Sequence, residues 1–243
     1  MDWSDDAIIL GTRKYGEADA LVDVLAHREG RYCGFVRGGM GRRQRGILQV
    51  GNGVQASWRA RVEAHLGSMT LELKVARAAQ LFARPARLAA LSSTAALLLA
   101  ALPERQPQAK VYEAFVELLR LLTDDQIDDQ EWAIALVRFE AGLLAELGFG
   151  LDLSACAATG EVANLIYVSP RSGRAVGAEA GRPYKEKLLS LPAFMIGPAA
   201  ADREDIRAGF AITGYFLERH LLGPLGRPLP DARARMLGYL AEN

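Results

Sequence analysis

Along the first third of the chain, apolar residues recur at every second position. Val54, Ala56, Trp58, Ala60 and Val62 alternate with Gln55, Ser57, Arg59 and Arg61, and Met69, Leu71, Leu73 and Val75 alternate with Thr70, Glu72 and Lys74. A period of two puts each set on one face of a strand, so both segments have a core face and a polar face. Three shorter β runs precede them, Ala7 to Leu10, Ala20 to Leu25 and Arg31 to Arg37, and His27-Arg28-Glu29-Gly30 has the composition of a tight hairpin connection. Five short antiparallel strands ahead of Arg77 predict a small closed barrel. An OB-type barrel is the five-stranded solution that habitually binds single strands. An SH3-like barrel is its rival, and pattern alone does not separate the two.

After Arg77 the period becomes that of helices. Pro85 suits the first position of a Leu/Ala-rich helix that ends near Pro103. Val111, Phe115, Leu118 and Leu122 form the apolar stripe of a second helix. Trp132, Leu136, Phe139, Leu143 and Leu147 form that of a third, which Gly148 terminates. Asp202 is a plausible N-cap for a helix to Leu222 with the stripe Ile206, Phe210, Thr213, Leu217 and Leu221, and a short helix from Asp231 to Leu240 closes the chain. Between them, residues 151–192 are broken by glycine and proline and hold one predicted strand, Leu165 to Val168. The expected fold is mixed α and β: an OB-type barrel over 1–80, then a helical domain over 81–243 that includes a loop-rich insert at 151–192.

Charge sharpens this picture. The 29 basic and 29 acidic residues cancel, so a nucleic-acid site must be a local patch and not a global property. Such a patch lies between Arg37 and Arg61, where Arg37, Arg42, Arg43, Arg45, Arg59 and Arg61 occur with no acidic residue among them. Each could neutralise a phosphate, and Lys14 is a further candidate for the same surface. The bland alternative is a solvated basic face. The glycine- and arginine-rich loop RGGMGRRQRG lacks the GK[ST] ending of a phosphate loop and follows a strand instead of opening a helix.

Aromatic candidates for base stacking are Tyr15, Tyr32, Phe35 and Trp58. Trp58 shares the apolar face of its strand and reads as core. Phe35 alternates in phase with Arg31, Cys33 and Arg37, which makes it the stacking residue of choice. If backbone charge outweighs stacking, base edges stay free to pair.

Catalytic and metal signals are absent from the pattern. His27, His65 and His220 fall in three different elements without triad or ligand spacing, and Asp124 and Asp125 sit in a solvated connector, so no enzyme is predicted. Two cysteines, Cys33 and Cys156, make no disulfide framework and suggest a reducing compartment. The opening MDWSDDAIIL shows no export signal, and the longest uncharged run, Leu88 to Leu102, is shorter than the roughly 18 residues of a membrane span. A cytoplasmic protein without a membrane partner is expected. On the third helix, Arg138 lies opposite the Trp132/Phe139/Leu143 seam and beside Ile134 and Val137. A cation next to an apolar edge suits an acidic, apolar-ended peptide; the alternative is an ordinary exposed arginine.

The order of these parts carries a resemblance. Ile8-Ile9-Leu10 with Tyr15-Gly16-Glu17, the loop Arg37-Gly38-Gly39-Met40-Gly41-Arg42-Arg43, and Leu48-Gln49-Val50-Gly51-Asn52 are followed by Arg138-Phe139-Glu140 leading to Leu147-Gly148. The Cys156 loop and Leu217 to Leu221 before Pro228-Leu229-Pro230 complete the set. In these segments, and over nearly its whole length, the chain resembles the bacterial RecO family of recombination mediators. The resemblance implies an OB-fold, a helical domain and a zinc-binding or degenerate zinc module. It implies binding of single-stranded DNA, with double-stranded DNA a further candidate, and annealing of complementary strands within the RecF pathway at the nucleoid. Its implied partners are a RecR-like mediator and single-strand binding protein, whose acidic tail would be the peptide for Arg138, in the loading of RecA. One departure stands out: many family members hold zinc through two C-x-x-C pairs, whereas here Thr159 stands where the cysteine after Cys156 would be, and no later cysteine follows. A tetrahedral thiolate site needs four ligands, so no metal and no cofactor is expected. Leu165, Ile166, Tyr167 and Val168 are then the candidates to hold the insert by apolar contacts. A different class of function, a structural adaptor whose basic loop meets an acidic protein partner, remains the alternative.

Overall fold

The computed structural model describes residues 1–62 and 65–242. The chain forms two compact units, Met1–Asp124 with Pro230–Asn243, and Asp125–Leu229. The first opens with strands β1 (Asp2–Tyr15), β2 (Asp19–Ala26) and β3 (Gly30–Val36), helix α1 (Arg42–Ile47), and strands β4 (Gly53–Arg59) and β5 (Gly67–Val75). Helices α2 (Ala78–Leu81), α3 (Pro85–Ala101) and α4 (Ala109–Thr123) follow. The second unit carries α5 (Asp129–Glu146), β6 (Leu165–Val168), β7 (Ala175–Gly177), α6 (Ala178–Gly181), β8 (Leu189–Ser190) and α7 (Arg203–Phe216), and α8 (Asp231–Glu242) belongs again to the first.

The five strands close into a barrel in the order β1-β2-β3-β5-β4. β3 skips its sequence neighbour and lies parallel to β5, through Gly34 with Gly67 and Phe35 with Ser68, while the other pairs are antiparallel. This order, with a helix between β3 and β4, is the OB arrangement and sets aside the SH3-like alternative. The interior is filled by Ala7, Ile9, Val22, Val24, Val54 and Trp58 among others, and Ile47 and Leu48 at the end of α1 pack against them, so the helix plugs the barrel.

Several boundaries differ from the expectation. β1 runs far beyond Ala7–Leu10, because Asp2 to Ile8 pair with β4 and Ala7 to Tyr15 pair with β2, with a register shift between Ile9 and Gly11. Its first half is hidden in the sequence by Asp5, which takes a buried position opposite Ala56. The carboxylate is held there by the Arg28 backbone N–H at 2.6 Å and the Arg28 Nε at 3.1 Å. β4 ends at Arg59, so Arg61 and Val62 lie past the strand, and Val62 is exposed instead of core. On β5, Met69 and Leu71 are buried but Leu73 and Val75 are exposed, since the strand outruns the enclosed part of the barrel. The arginine loop, expected to open no helix, forms α1 from Arg42 onward. Arg42, Arg43, Gln44 and Arg45 have good helix propensity, and Gly41 enters in extended geometry.

Pro85 occupies the first turn of α3, and the stripe Val111, Phe115, Leu118 and Leu122 is buried on α4. α5 opens with a capping box in which the Asp128 side chain accepts from Glu131 N–H and the Glu131 side chain accepts from Asp128 N–H. It ends at Gly148, whose φ of 88° suits glycine. α7 is capped by Asp202 and packs on α5, where the Thr213 hydroxyl donates to the buried Glu140 carboxylate. A π-helical stretch, Leu217–Leu222, continues it.

The insert holds three strands in the order β7-β6-β8, not one. β7 and β8 have three and two residues, too few to show a period. Leu165 and Val168 are buried while Ile166 points outward, so the two ends of β6 hold the insert. Cys156 is buried, accepts the Gly177 N–H at 3.2 Å, and is hydrogen-bonded to the Thr159 side chain. One thiol and a threonine do not fit a zinc ion, which would need four ligands. Among the described residues, no helix is long and apolar enough to cross a membrane.

Candidate nucleic-acid interface

Arg37, Arg42, Arg43, Arg45, Arg59 and Arg61 are all exposed, as is Lys14. Among the described residues none of the seven has an acidic partner. The barrel's other basic side chains are paired: Arg13 with Asp23, Arg28 with Asp5, Arg31 with Asp23 and Glu104, and Lys74 with Asp6. Among the described residues of the barrel, free guanidinium groups are therefore confined to the segment that the sequence singles out.

Local geometry fixes this segment on the barrel. Gly38 N–H donates to Asp19 Oδ1 at 2.7 Å, Met40 N–H to Ala18 O at 2.9 Å, and Thr12 Oγ1 to Leu48 O at 2.9 Å. These bonds stitch the chain around α1 to β1 and to the β1–β2 turn. On α1 itself, Arg45 Nε donates to Met40 O at 2.9 Å, which orients that side chain, while the exposed Arg42 and Arg43 side chains make no hydrogen bond or ion pair among the described residues.

The register decides which candidates lie together. Arg59 pairs with Ser68, and Ser68 pairs with Phe35, which pairs in turn with Leu21 and through it with Arg13. Directly paired residues share a face, so Arg59, Ser68 and Phe35 form one outward row. Two interstrand spacings, about 10 Å, separate Phe35 from Arg59. Arg37 continues the outward phase of β3 two residues beyond Phe35. Lys14, by contrast, is in register with Ala20 and Val36, both buried, and so lies on the opposite face of the sheet from Phe35. Along β4, the six steps from Gly53 to Arg59 put Arg59 about 20 Å from the α1 end of the strand. The β3–β5 seam thus brings Arg59 beside Phe35, which the continuous chain does not, while Arg42, Arg43 and Arg45 stand on α1 toward the other end of β4.

The aromatic candidates sort cleanly. Tyr15 and Phe35 meet edge to face on the surface with centroids 5.8 Å apart. Trp58 is interior, as its phase predicts, and Tyr32 is interior as well. Both pack with Trp3, at 6.3 Å from Trp58 and 5.0 Å from Tyr32, and the Arg105 guanidinium lies over the Tyr32 and Trp58 rings at 5.5 and 5.6 Å. Of the four candidates, Tyr15 and Phe35 are the two that lie outside the barrel interior.

This OB order, with its basic surface, coincides with a family match over most of the chain. Residues 1–76 match the model of the recombination protein O N-terminal domain, and residues 83–228 that of its C-terminal domain. The chain belongs to the RecO family. Among curated RecO proteins, the DNA repair protein RecO of Rhodospirillum rubrum is 50% identical over 243 residues, covering 99% of this chain and 96% of its own. The DNA repair protein RecO of Caulobacter vibrioides is 48% identical, covering 100% of this chain and 98% of its own. That of Rhodospirillum centenum is 47% identical over 239 residues, covering 98% of this chain and 94% of its own. The family's OB-type domain is the barrel described above.

In the second unit, Arg138 on α5 is exposed and donates to Phe194 O at 2.9 Å through Nη2 and at 3.3 Å through Nε, with Gly197 O at 3.4 Å. Val137 is fully buried, so the expected apolar edge of Ile134 and Val137 is not the one beside this cation. Arg138 instead borders a groove of about 390 Å³ whose apolar wall includes Ala141, Ala145, Leu151, Leu153 and Ile196. The signal in the sequence was the cation; its apolar neighbours come from the next two turns of α5 and from the segments around Leu151 and Ile196.

Proposed function

We propose that this RecO-family chain is a non-enzymatic repair and recombination mediator that binds single-stranded DNA on the arginine surface of its barrel and promotes annealing. The observation that carries the reading is the clustering of guanidinium groups without acidic partners, among the described residues, in Arg37–Arg61, on a barrel whose other arginines are neutralised. Guanidinium groups engaged with phosphates grip the backbone and leave base edges free to pair. The Tyr15–Phe35 pair adds a stacking platform that is indifferent to sequence. In this reading the protein works in the cytoplasm with a RecR-like mediator and single-strand binding protein to load RecA, and double-stranded DNA is a further candidate ligand. The groove at Arg138 receives the acidic tail of single-strand binding protein: its cation meets the carboxylates and its apolar wall the tail's end.

A salt titration of binding to a fluorescent single-stranded oligonucleotide tests the core of this reading. Arg42→Glu/Arg43→Glu/Arg45→Glu is expected to stay folded, to lose affinity and to flatten the salt slope by roughly 0.7 for each phosphate no longer neutralised. Equal binding by variant and wild type would sink it. Tight binding of an acidic protein without any DNA binding would favour the adaptor instead.

A further inference from the structure

The outer face of β1, β4 and β5 carries a groove of about 500 Å³ that the arginine surface alone does not explain. Two cross-strand rows line it, Ser4–Ser57–Thr70 and Asp2–Arg59–Ser68. Trp3 and Trp58 also border it, but their rings pack with the barrel interior. The outward side chains are therefore four small hydroxyls, one guanidinium and one carboxylate. Ser4 and Ser57 hydroxyls meet at 3.0 Å, and Ser68 Oγ donates to Arg59 O at 3.4 Å, whereas the Thr70 hydroxyl makes no hydrogen bond with the described residues. Arg59 makes no ion pair with Asp2 although the two are register partners.

We infer that this groove is a phosphodiester subsite for the nucleic-acid strand, with Arg59 as its charge and the Ser57, Ser68 and Thr70 hydroxyls as its neutral donors. The inference rests on the DNA-binding reading above and extends it to a face of the barrel away from α1. Three features support it. A guanidinium without an acidic partner among the described residues, at a concave, hydroxyl-lined surface, matches the acceptor-rich geometry of a phosphate. Small side chains let a backbone approach the sheet closely. Ser68 joins the groove to Phe35, so a strand stacked at Phe35 reaches Arg59 within the roughly 4–16 nucleotides that one OB-fold engages. Asp2 sets the opposite sign, because its carboxylate repels the phosphate that Arg59 attracts.

The test is oligonucleotide binding by the full chain across a salt series, with Arg59→Gln, Asp2→Asn and Ser57→Ala/Thr70→Ala variants beside the α1 triple variant. Arg59 and Asp2 are exposed, so both single variants are expected to fold. Arg59→Gln is expected to weaken binding several-fold at low salt and to reduce the salt slope by about 0.7, the contribution of one phosphate. Asp2→Asn is expected to tighten binding, and the hydroxyl variant to weaken it with the slope unchanged, because its donors are neutral. An unchanged affinity and slope in Arg59→Gln, or no tightening in Asp2→Asn, overturns the groove. If the α1 variant alone loses affinity, the DNA-binding reading stands and the groove falls. If the wild type binds no oligonucleotide, both fall together.

Discussion

Asn52 Oδ1 accepts the backbone N–H of Ala78 at 3.1 Å, while the same side chain donates through Nδ2 to Gly46 O at 3.0 Å and Ile47 O at 3.1 Å. One amide, only 1% exposed, therefore ties the end of α1 to the start of α2. It explains why an asparagine closes the Leu48–Asn52 segment: both of its polar ends have a backbone partner. Asn52→Ala leaves the buried Ala78 N–H and two part-buried carbonyls without this partner and, at about 1–3 kcal/mol for each unpaired group, is expected to cost about 3 kcal/mol or more. Urea unfolding should show a lower midpoint with the same slope, and an unchanged midpoint would mean that α1 is held by other contacts.

Phe35 and Trp58 should separate binding from folding. Phe35→Ala removes a surface ring and is expected to lower oligonucleotide affinity by about 1–3 kcal/mol with little effect on stability. Trp58→Ala opens the barrel core and is expected to cost about 3–5 kcal/mol of stability. Parallel binding and thermal-unfolding measurements distinguish the two; the reverse pattern would put the stacking platform inside the barrel.

Cys156 gives a pH signature. The hydrogen bond with the Thr159 side chain, then that from Gly177 N–H, stabilises its thiolate and lowers the pKa from 9.0 to about 7. A depressed acid contributes stability that is fully present above the unfolded value of 9.0 and is lost as pH falls through about 7. In a Cys33→Ser background, the thiolate absorbance should titrate near that lower value, and Thr159→Val should move the midpoint upward. A midpoint that ignores Thr159 would remove this account.

Arg138 should matter for a partner and not for the barrel. Arg138→Glu replaces a charge-assisted donor worth about 1.5–3 kcal/mol with a like charge, so affinity for an acidic, apolar-ended peptide should drop at least about tenfold. Binding to single-stranded oligonucleotides should remain. Leu153→Ser, in the apolar wall of the same groove, should weaken the peptide independently of charge. Peptide titrations that show no change in either variant would take the tail out of this groove.

Local pattern alone determined a good deal of this protein. Where a period survives intact it led to the right element and face: Trp58 inward and Phe35 outward, the buried stripe of α4, the α5 glycine stop at Gly148, and Asp202 as the cap of α7. The arginine run was visible because charge is a property of the residue itself. Tertiary structure decided everything that depends on partners far along the chain. Asp5 occupies a buried position because Arg28 meets it, β7 and β8 exist only through pairing with β6, and Val137 is buried by neighbours that no helical stripe reveals. The surface that unites Phe35 with Arg59 is the clearest case. It arises from β3 lying beside β5 instead of β4, and a register between distant strands is set by barrel closure, which no local period encodes.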